Sequence, residues 1–192
     1  MRGHRGVVFI HGFVCNRGFW TPWLRRLNGH SRAIAAVNLE PAFASIDHYV
    51  AVIDQAVAAV TESSGLPPVL VCHSMGGLAA RAWLRTSSVG RIHRIVTIAS
   101  PHQGTWLARF SHTRNGCEMK IASDWLRQLQ LDTQACESAF TCWYSNCDNV
   151  VFPSSMATLP GADNRFVHGL AHVDLAFHPE VMAATLSILD QP

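Results

Sequence analysis

A short apolar run ends at a serine, closely followed by two glycines, in Val69-Leu70-Val71-Cys72-His73-Ser74-Met75-Gly76-Gly77. The run is typical of a buried strand, and a helical stretch follows it directly. A tight strand-to-helix turn of this kind holds a serine hydroxyl clear of the backbone, which is the form of a nucleophile elbow. Gly76 supports this interpretation, because strand and helix pass too closely there to admit a Cβ atom. Cys72 replaces the first glycine of the usual G-x-S-x-G pattern, a place that a small side chain can fill.

A second apolar run, upstream, ends in His11-Gly12-Phe13. Together with the turn at Ser74, it resembles the α/β-hydrolase fold, and more narrowly the small bacterial lipases and esterases of that fold. The resemblance implies that the backbone N–H groups of Phe13 and Met75 form an oxyanion hole. We expect His11, at the end of its strand, to hold the oxyanion loop by a hydrogen bond.

Two downstream segments offer an acid and a base. Asp148 follows a strand-like run and stands in Asp148-Asn149-Val150-Val151-Phe152-Pro153, which resembles the setting of the family's carboxylate. His172 lies in a loop after a last short strand, and the order Ser74, Asp148, His172 is the one this fold imposes. The serine needs a histidine as general base, and the histidine needs a carboxylate to fix its tautomer. The resemblance therefore implies a Ser74–His172–Asp148 triad.

Other histidines and carboxylates compete for these roles. His168 is expected to face neighbouring packing and His178 to begin the final helix, while His73 is interpreted as a packing residue. The turn Ser100-Pro101-His102-Gln103-Gly104-Thr105 resembles a lipase pattern, and His102 is expected to brace a loop near the pocket. The rival acids lack a preceding strand at the right place; they are Asp124, Asp132, Asp163 and Asp174.

Strand-like and helix-like stretches alternate along the chain, which predicts parallel strands with helices on both faces of the sheet. The expected strands are residues 7–10, 32–37, 69–72, 92–99, 140–144 and 164–167, and the expected helices are residues 20–27, 46–61, 76–85 and 180–189. The fold class is therefore α/β: a minimal α/β-hydrolase fold of about six mostly parallel strands, without a large cap domain. No linker or repeat divides residues 1–192, so one domain is expected.

Residues 102–138 are the least regular part of the chain, and they predict either a helical crossover or a small flap over the pocket, with Ser123 as a helix cap. The expected pocket walls are Phe13 together with Val14, Phe19, Trp20 and Trp106. Because this interval must also supply the crossover, we expect an open pocket. It should prefer short to medium acyl esters, with little rise in rate at a lipid interface.

The composition limits the other possibilities. Hydrophobic residues make up 48% of the 192 residues and charged residues 15%, which favours a compact protein. The net charge is +2 and the basic residues are scattered along the chain, so nucleic acid is not an expected partner. No run is long enough to span a membrane. The six cysteines show no metal spacing. We favour free thiols, although one disulfide among Cys117, Cys136, Cys142 and Cys147 stays open for an exported protein.

Residues 1–5 precede the first strand and leave no room for a signal peptide, which favours the cytoplasm unless a leader has been removed. A monomer without cofactor is expected. A calcium site at Asp174, with Asp124 or Asp132, is a minor alternative.

The resemblance implies a carboxylic ester hydrolase, a lipase or esterase, that acts on small ester or lipid molecules through an acyl-enzyme. Thioesterase or amidase activity is the nearest alternative. A hydrolase-like protein that only binds a ligand is the alternative of another class.

Overall fold

The computed structural model describes residues 3–191. Its centre is one sheet of six parallel strands in the order β2-β1-β3-β4-β5-β6. The strands are β1 Val7–Ile10, β2 Ile34–Val37, β3 Val69–His73, β4 Arg94–Ile98, β5 Phe140–Ser145 and β6 Asp163–Val167. This confirms the predicted fold class. The edge strand β2 and the strand β4 are shorter than predicted.

Seven α-helices surround the sheet within the described residues: α1 Thr21–Leu27, α2 Val50–Ser64, α3 Met75–Leu84, α4 Arg114–Glu118, α5 Asp124–Thr133, α6 His172–Phe177 and α7 Pro179–Ile188. Short 3₁₀ segments precede α1 and α2, so the helices predicted at 20–27 and 46–61 each begin with a tighter turn. Gly65 ends α2 in the left-handed conformation, with φ of 78°.

The sheet has a separate hydrophobic cluster on each face, as the side-chain alternation of a strand requires. In β1, Val8 and Ile10 belong to the cluster under α2 and α3, whereas Val7 and Phe9 belong to the cluster that includes residues of α1, α6 and α7. The strands are therefore covered on both faces, and all four residues of β1 are fully buried.

Residues 102–138 contain a 3₁₀ segment at Trp106–Phe110, then α4, α5 and another 3₁₀ segment at Gln134–Ala139. The Ser123 hydroxyl accepts a hydrogen bond from the Leu126 N–H at 3.2 Å, which confirms the predicted cap. Within the described chain this interval is a crossover with short helical turns, and no cap domain is present.

All six cysteines are unpaired in the structure. Cys72 and Cys142 lie in β3 and β5 and are fully buried, so they pack as small apolar side chains.

Parallel strands bring their carboxyl ends to one edge of the sheet, and ligand sites of such sheets lie beyond that edge. Here the loops after β1, β3, β5 and β6 carry Phe13, Ser74, Asp148 and His172 respectively. The topology therefore gathers the predicted site residues in one region.

Candidate active site

Ser74 occupies the turn between β3 and α3 in a backbone conformation that side chains rarely adopt, with φ of 54° and ψ of −127°. Its N–H donates to the carbonyl of Ile98 at 2.9 Å, which ties the turn to the neighbouring strand. A Cβ atom on Gly76 would lie 2.4 Å from the carbonyl oxygen of Ile10, so only glycine fits where α3 passes β1. The strained turn thus depends on glycine at the position that the sequence indicated.

Asp148 and His172 form a hydrogen-bonded pair. The Nδ1 atom of His172 lies 3.0 Å from each carboxylate oxygen of Asp148, and both side chains are almost fully buried. Asp148 Oδ1 also accepts from the N–H groups of Val150 and Val151, each at 2.8 Å. The carboxylate is therefore fixed by its own loop, and it leaves Nε2 of His172 free to act as a base.

The backbone of His172 is held from both sides by residues that the sequence analysis did not assign to the site. The His172 N–H donates to Asn149 Oδ1 at 3.1 Å, at the start of α6. The His73 ring lies next to the His172 ring, with centroids 4.7 Å apart, and its Nε2–H donates to the His172 carbonyl at 3.2 Å. Because His73 immediately precedes Ser74, this contact links His172 to the serine turn.

A cavity of about 240 Å³ opens beside Ser74. Its wall is mainly apolar and includes Phe13, Leu107, Ala108, Met119 and Val151. The Ser74 hydroxyl makes no hydrogen bond to another described residue, a common state of catalytic groups before substrate binds. A cleft lined by Trp106, Leu107, Asp148, Asn149 and Phe152 adjoins this cavity through Leu107. A larger hollow of about 620 Å³ beside α5 contains none of Ser74, Asp148 and His172.

Of the two residues predicted to form the oxyanion hole, Phe13 lies at this cavity and Met75 directly follows Ser74. The Phe13 N–H donates to no other described residue. Met75 is the first residue of α3, so its N–H has no acceptor within the helix. Gly12 packs directly on Ser74, since a Cβ there would lie 2.8 Å from the Ser74 Cβ. His11 fixes the loop: its Nδ1–H donates to the Gly12 carbonyl at 2.9 Å, and its Nε2 accepts from the Leu39 N–H at 3.0 Å.

The structure places the other predicted wall residues in different environments. Trp20 is fully buried against Phe9 and Trp23 in the core, so its prediction as a wall residue is wrong; the sequence pattern could not tell a core aromatic from a lining one. Phe19 stacks on His73 with ring centroids 4.5 Å apart, and so supports the histidine instead of lining the cavity. Val14 is 64% exposed with φ of 52°, and Trp106 lines the adjoining cleft.

The rival residues lie elsewhere. His168 is exposed, and His178 lies at the start of α7. Three of the rival acids form ion pairs with arginines: Asp163 with Arg165, Asp124 with Arg127, and Asp132 with Arg85. The fourth, Asp174, is exposed on α6.

Within residues 3–191 no group of three or more His, Cys, Asp or Glu side chains could hold a metal ion. In the same part of the chain, no helix has the length and apolarity needed to cross a bilayer.

Buried histidines surround the site. Burial lowers the pKa of His73 to about 3, and His172 nearby adds to this effect. Burial also holds the pKa of His102 well below its usual value, with the Arg81 guanidinium contributing. His102 Nε2 contacts Thr97 Oγ1 at 2.9 Å, and the His102 carbonyl accepts from Arg81 at 3.0 Å, so His102 braces the turn after β4.

These neutral histidines predict acid sensitivity of the fold. Below about pH 6.5 the histidines of the unfolded chain become protonated, whereas His73 of the folded chain stays neutral down to about pH 3. The free energy of unfolding should therefore decrease as the pH is lowered from about 6.5 to about 3. Each such histidine contributes about 1.4 kcal/mol per pH unit in this window. Denaturant unfolding at a series of pH values should show this slope, and it should be shallower in His73→Asn. An unchanged slope in that variant would contradict the burial argument.

Comparison with known proteins agrees with the fold. The sequence model of the alpha/beta hydrolase family matches residues 7–186. The chain belongs to this family. Comparison with curated proteins found no sequence match.

Solved structures of lipases are similar to this chain. The mature form of a lipase from Bacillus licheniformis has a TM-score of 0.83 and 14% identity, covering 97% of this chain and 92% of that one. Lipase B of Aspergillus fumigatus has a TM-score of 0.78 and 19% identity, covering 98% of this chain and 53% of that one. A monoacylglycerol lipase from Paleococcus ferrophilus has a TM-score of 0.68 and 14% identity, with 99% and 98% covered. At such identities the likeness shows the fold alone; family and fold together support a hydrolase.

Proposed function

We propose that this hydrolase is a serine carboxylic ester hydrolase, an esterase or lipase. The observation that carries the proposal is the buried Asp148–His172 pair, which lies at the same edge of the sheet as the strained turn of Ser74. Three separate loops supply the acid, the base and the nucleophile in the chain order of this fold. This arrangement suits acyl transfer.

In the proposed mechanism, His172 Nε2 takes the proton of the Ser74 hydroxyl as Oγ attacks the ester carbonyl. Asp148 accepts the His172 Nδ1–H and stabilises the imidazolium that forms. The N–H groups of Phe13 and Met75 donate to the oxyanion, with the N-terminal end of α3 adding its positive dipole. His172 then protonates the leaving alcohol, and water activated by the same histidine cleaves the acyl-enzyme.

The substrate is proposed to be a short- to medium-chain acyl ester or acylglycerol. The cavity of about 240 Å³ is smaller than the range of roughly 300–1,000 Å³ that is usual for drug-sized ligands. Its apolar wall of Phe13, Leu107 and Met119 suits an acyl chain, and its adjoining cleft leaves space for an alcohol.

Hydrolysis of a series of chromogenic acyl esters tests this proposal. We expect kcat/KM to rise about fourfold for each methylene buried, at roughly 0.8 kcal/mol per group, until the chain outgrows the cavity. A burst of the released alcohol would show an acyl-enzyme. Matched thioesters and amides serve as controls. Faster cleavage of either would contradict the ester assignment, and no turnover of any substrate would indicate a ligand-binding protein instead.

A further inference from the structure

Five large apolar side chains are exposed in and next to the cleft that adjoins the cavity beside Ser74. We call this set the mouth patch: Trp106, Leu107, Phe110, Ile121 and Phe152, which are between 41% and 61% exposed. Single exposed apolar residues are ordinary, but a contiguous group of them marks an interaction surface.

The mouth patch is contiguous. The Trp106 and Phe110 rings meet edge to face with centroids 5.3 Å apart, and the Trp106 N–H donates to the Phe152 carbonyl at 2.9 Å. Trp106 shares one cleft with Leu107 and Phe152, and a second hollow with Ile121. The Thr105 N–H donates to the Met119 carbonyl at 3.0 Å, which fixes the segment of Trp106 to that of Ile121. The patch is therefore one built face.

The exposed charges on this face are positive. The Arg109 guanidinium lies over the rings of Trp106 and Phe110, at 4.8 and 5.2 Å from their centroids. Lys120 lines the same hollow as Arg109 and Ile121, and neither cation has an ion pair with a described carboxylate. Residues 101–122 and 148–153 contain two acidic residues, Glu118 and Asp148, and both are buried.

We propose that the mouth patch docks on the surface of an anionic lipid layer. Aromatic side chains with an apolar body and nearby cations suit the boundary between acyl chains and negatively charged headgroups. The proposal rests on the proposed function in one respect: a lipid surface on this face would present acyl esters to the cavity beside Ser74.

Two other occupants fit the face less well. A second copy of the chain, related by a twofold axis, would bring together two faces that each carry the cations Arg109 and Lys120 and no exposed carboxylate to pair with them. A tightly bound protein would cover the cleft lined by Leu107 and Trp106 that adjoins the cavity, and so block access to Ser74. A fluid lipid surface has neither conflict.

Vesicle co-sedimentation of the full chain carrying Ser74→Ala tests the proposal without turnover of the lipid. The probes are vesicles of phosphatidylcholine alone and of phosphatidylcholine mixed with phosphatidylglycerol. We expect binding to the anionic vesicles, weaker binding at high salt, and little binding to the neutral ones. Phe110→Ser should weaken binding about tenfold through lost apolar burial. The double variant Arg109→Gln with Lys120→Gln should weaken it about fivefold per charge.

Matched control variants lie away from the patch. Val89→Ser removes a side chain that is 43% exposed before the amino end of β4, and Arg25→Gln with Arg26→Gln removes two exposed charges on α1. Both should bind vesicles like the parent chain. With Ser74 restored, Phe110→Ser should hydrolyse a dissolved short ester at the unaltered rate.

Absence of binding to anionic vesicles would overturn the docking proposal while leaving the proposed function standing. Equal losses in the patch and control variants would also overturn it, as would a dimer abolished by Phe110→Ser without vesicle binding. Vesicle binding by a chain that hydrolyses no ester would sustain the docking surface and contradict the proposed function.

Discussion

Replacement of Ser74 by alanine is expected to lower the rate of ester hydrolysis by at least about 10⁴-fold, because the variant lacks the hydroxyl that forms the acyl-enzyme in the proposed mechanism. The substitution removes one hydroxyl that forms no hydrogen bond to a described residue. Alanine has to adopt the same positive φ as serine at this turn, so the backbone strain is unchanged and the fold should stay intact. The steady-state rate on a short acyl ester measures the effect.

Thermal unfolding supplies the control for this experiment, and the midpoint of Ser74→Ala should stay close to that of the parent. A folded variant with substantial turnover would contradict the assignment of Ser74 as nucleophile.

Asp148→Asn is expected to lower kcat by about 10²- to 10⁴-fold while leaving the fold intact. The amide oxygen can keep the place of Oδ1, which accepts from the N–H groups of Val150 and Val151. The amide nitrogen then faces Nδ1 of His172 in place of Oδ2 and donates to it. This forces the proton onto Nε2, so the histidine can no longer accept the proton of Ser74.

Two control variants separate this role from general loss of charge. Asp174→Asn changes an exposed carboxylate two residues from His172 on the same helix, and Asp163→Asn breaks an exposed ion pair with Arg165. Both should keep near-normal rates. If either lost activity while Asp148→Asn kept it, the acid would have been misassigned.

The central strands β1 and β3 could be predicted closely from the sequence because they are short, almost continuous apolar runs. Residues 7–10 were predicted and found without change, and β3, β5 and β6 extend the predicted ranges by one residue. The prediction of the edge strand β2 was less accurate. Its first residue is exposed and the next two are only partly buried, so apolar periodicity defines its start poorly. The interval 102–138 could not be resolved because its short 3₁₀ and helical turns are held by long-range contacts.

One such contact is Glu118, which accepts from Ser45 Oγ and from the Ile46 N–H, both at 2.7 Å. No local pattern around Glu118 points to a partner more than seventy residues away. The fold of the segment beside the entrance is therefore a tertiary property.

Sequence motifs predicted Ser74, Asp148 and His172 in this order along the chain. The residues that position these three could not be predicted from motifs. His73 and Asn149 act on the backbone of His172, and such contacts leave no periodicity in a sequence. Asn149 directly follows Asp148, so an Asp-Asn pair before an apolar run is a weak sequence signal of this contact. Trp20 was misplaced because burial of an aromatic depends on which face of the sheet its segment covers.

Reaction with a fluorophosphonate, followed by mass spectrometry of the digested chain, tests directly whether Ser74 is the nucleophile. We expect one covalent adduct per chain on the peptide that contains Ser74, and its loss in both Ser74→Ala and Asp148→Asn at short reaction times. Ser111 lines the same cavity and serves as an internal comparison. An adduct on Ser111 or another residue, or no adduct on a folded chain that hydrolyses esters, would contradict the assignment of Ser74.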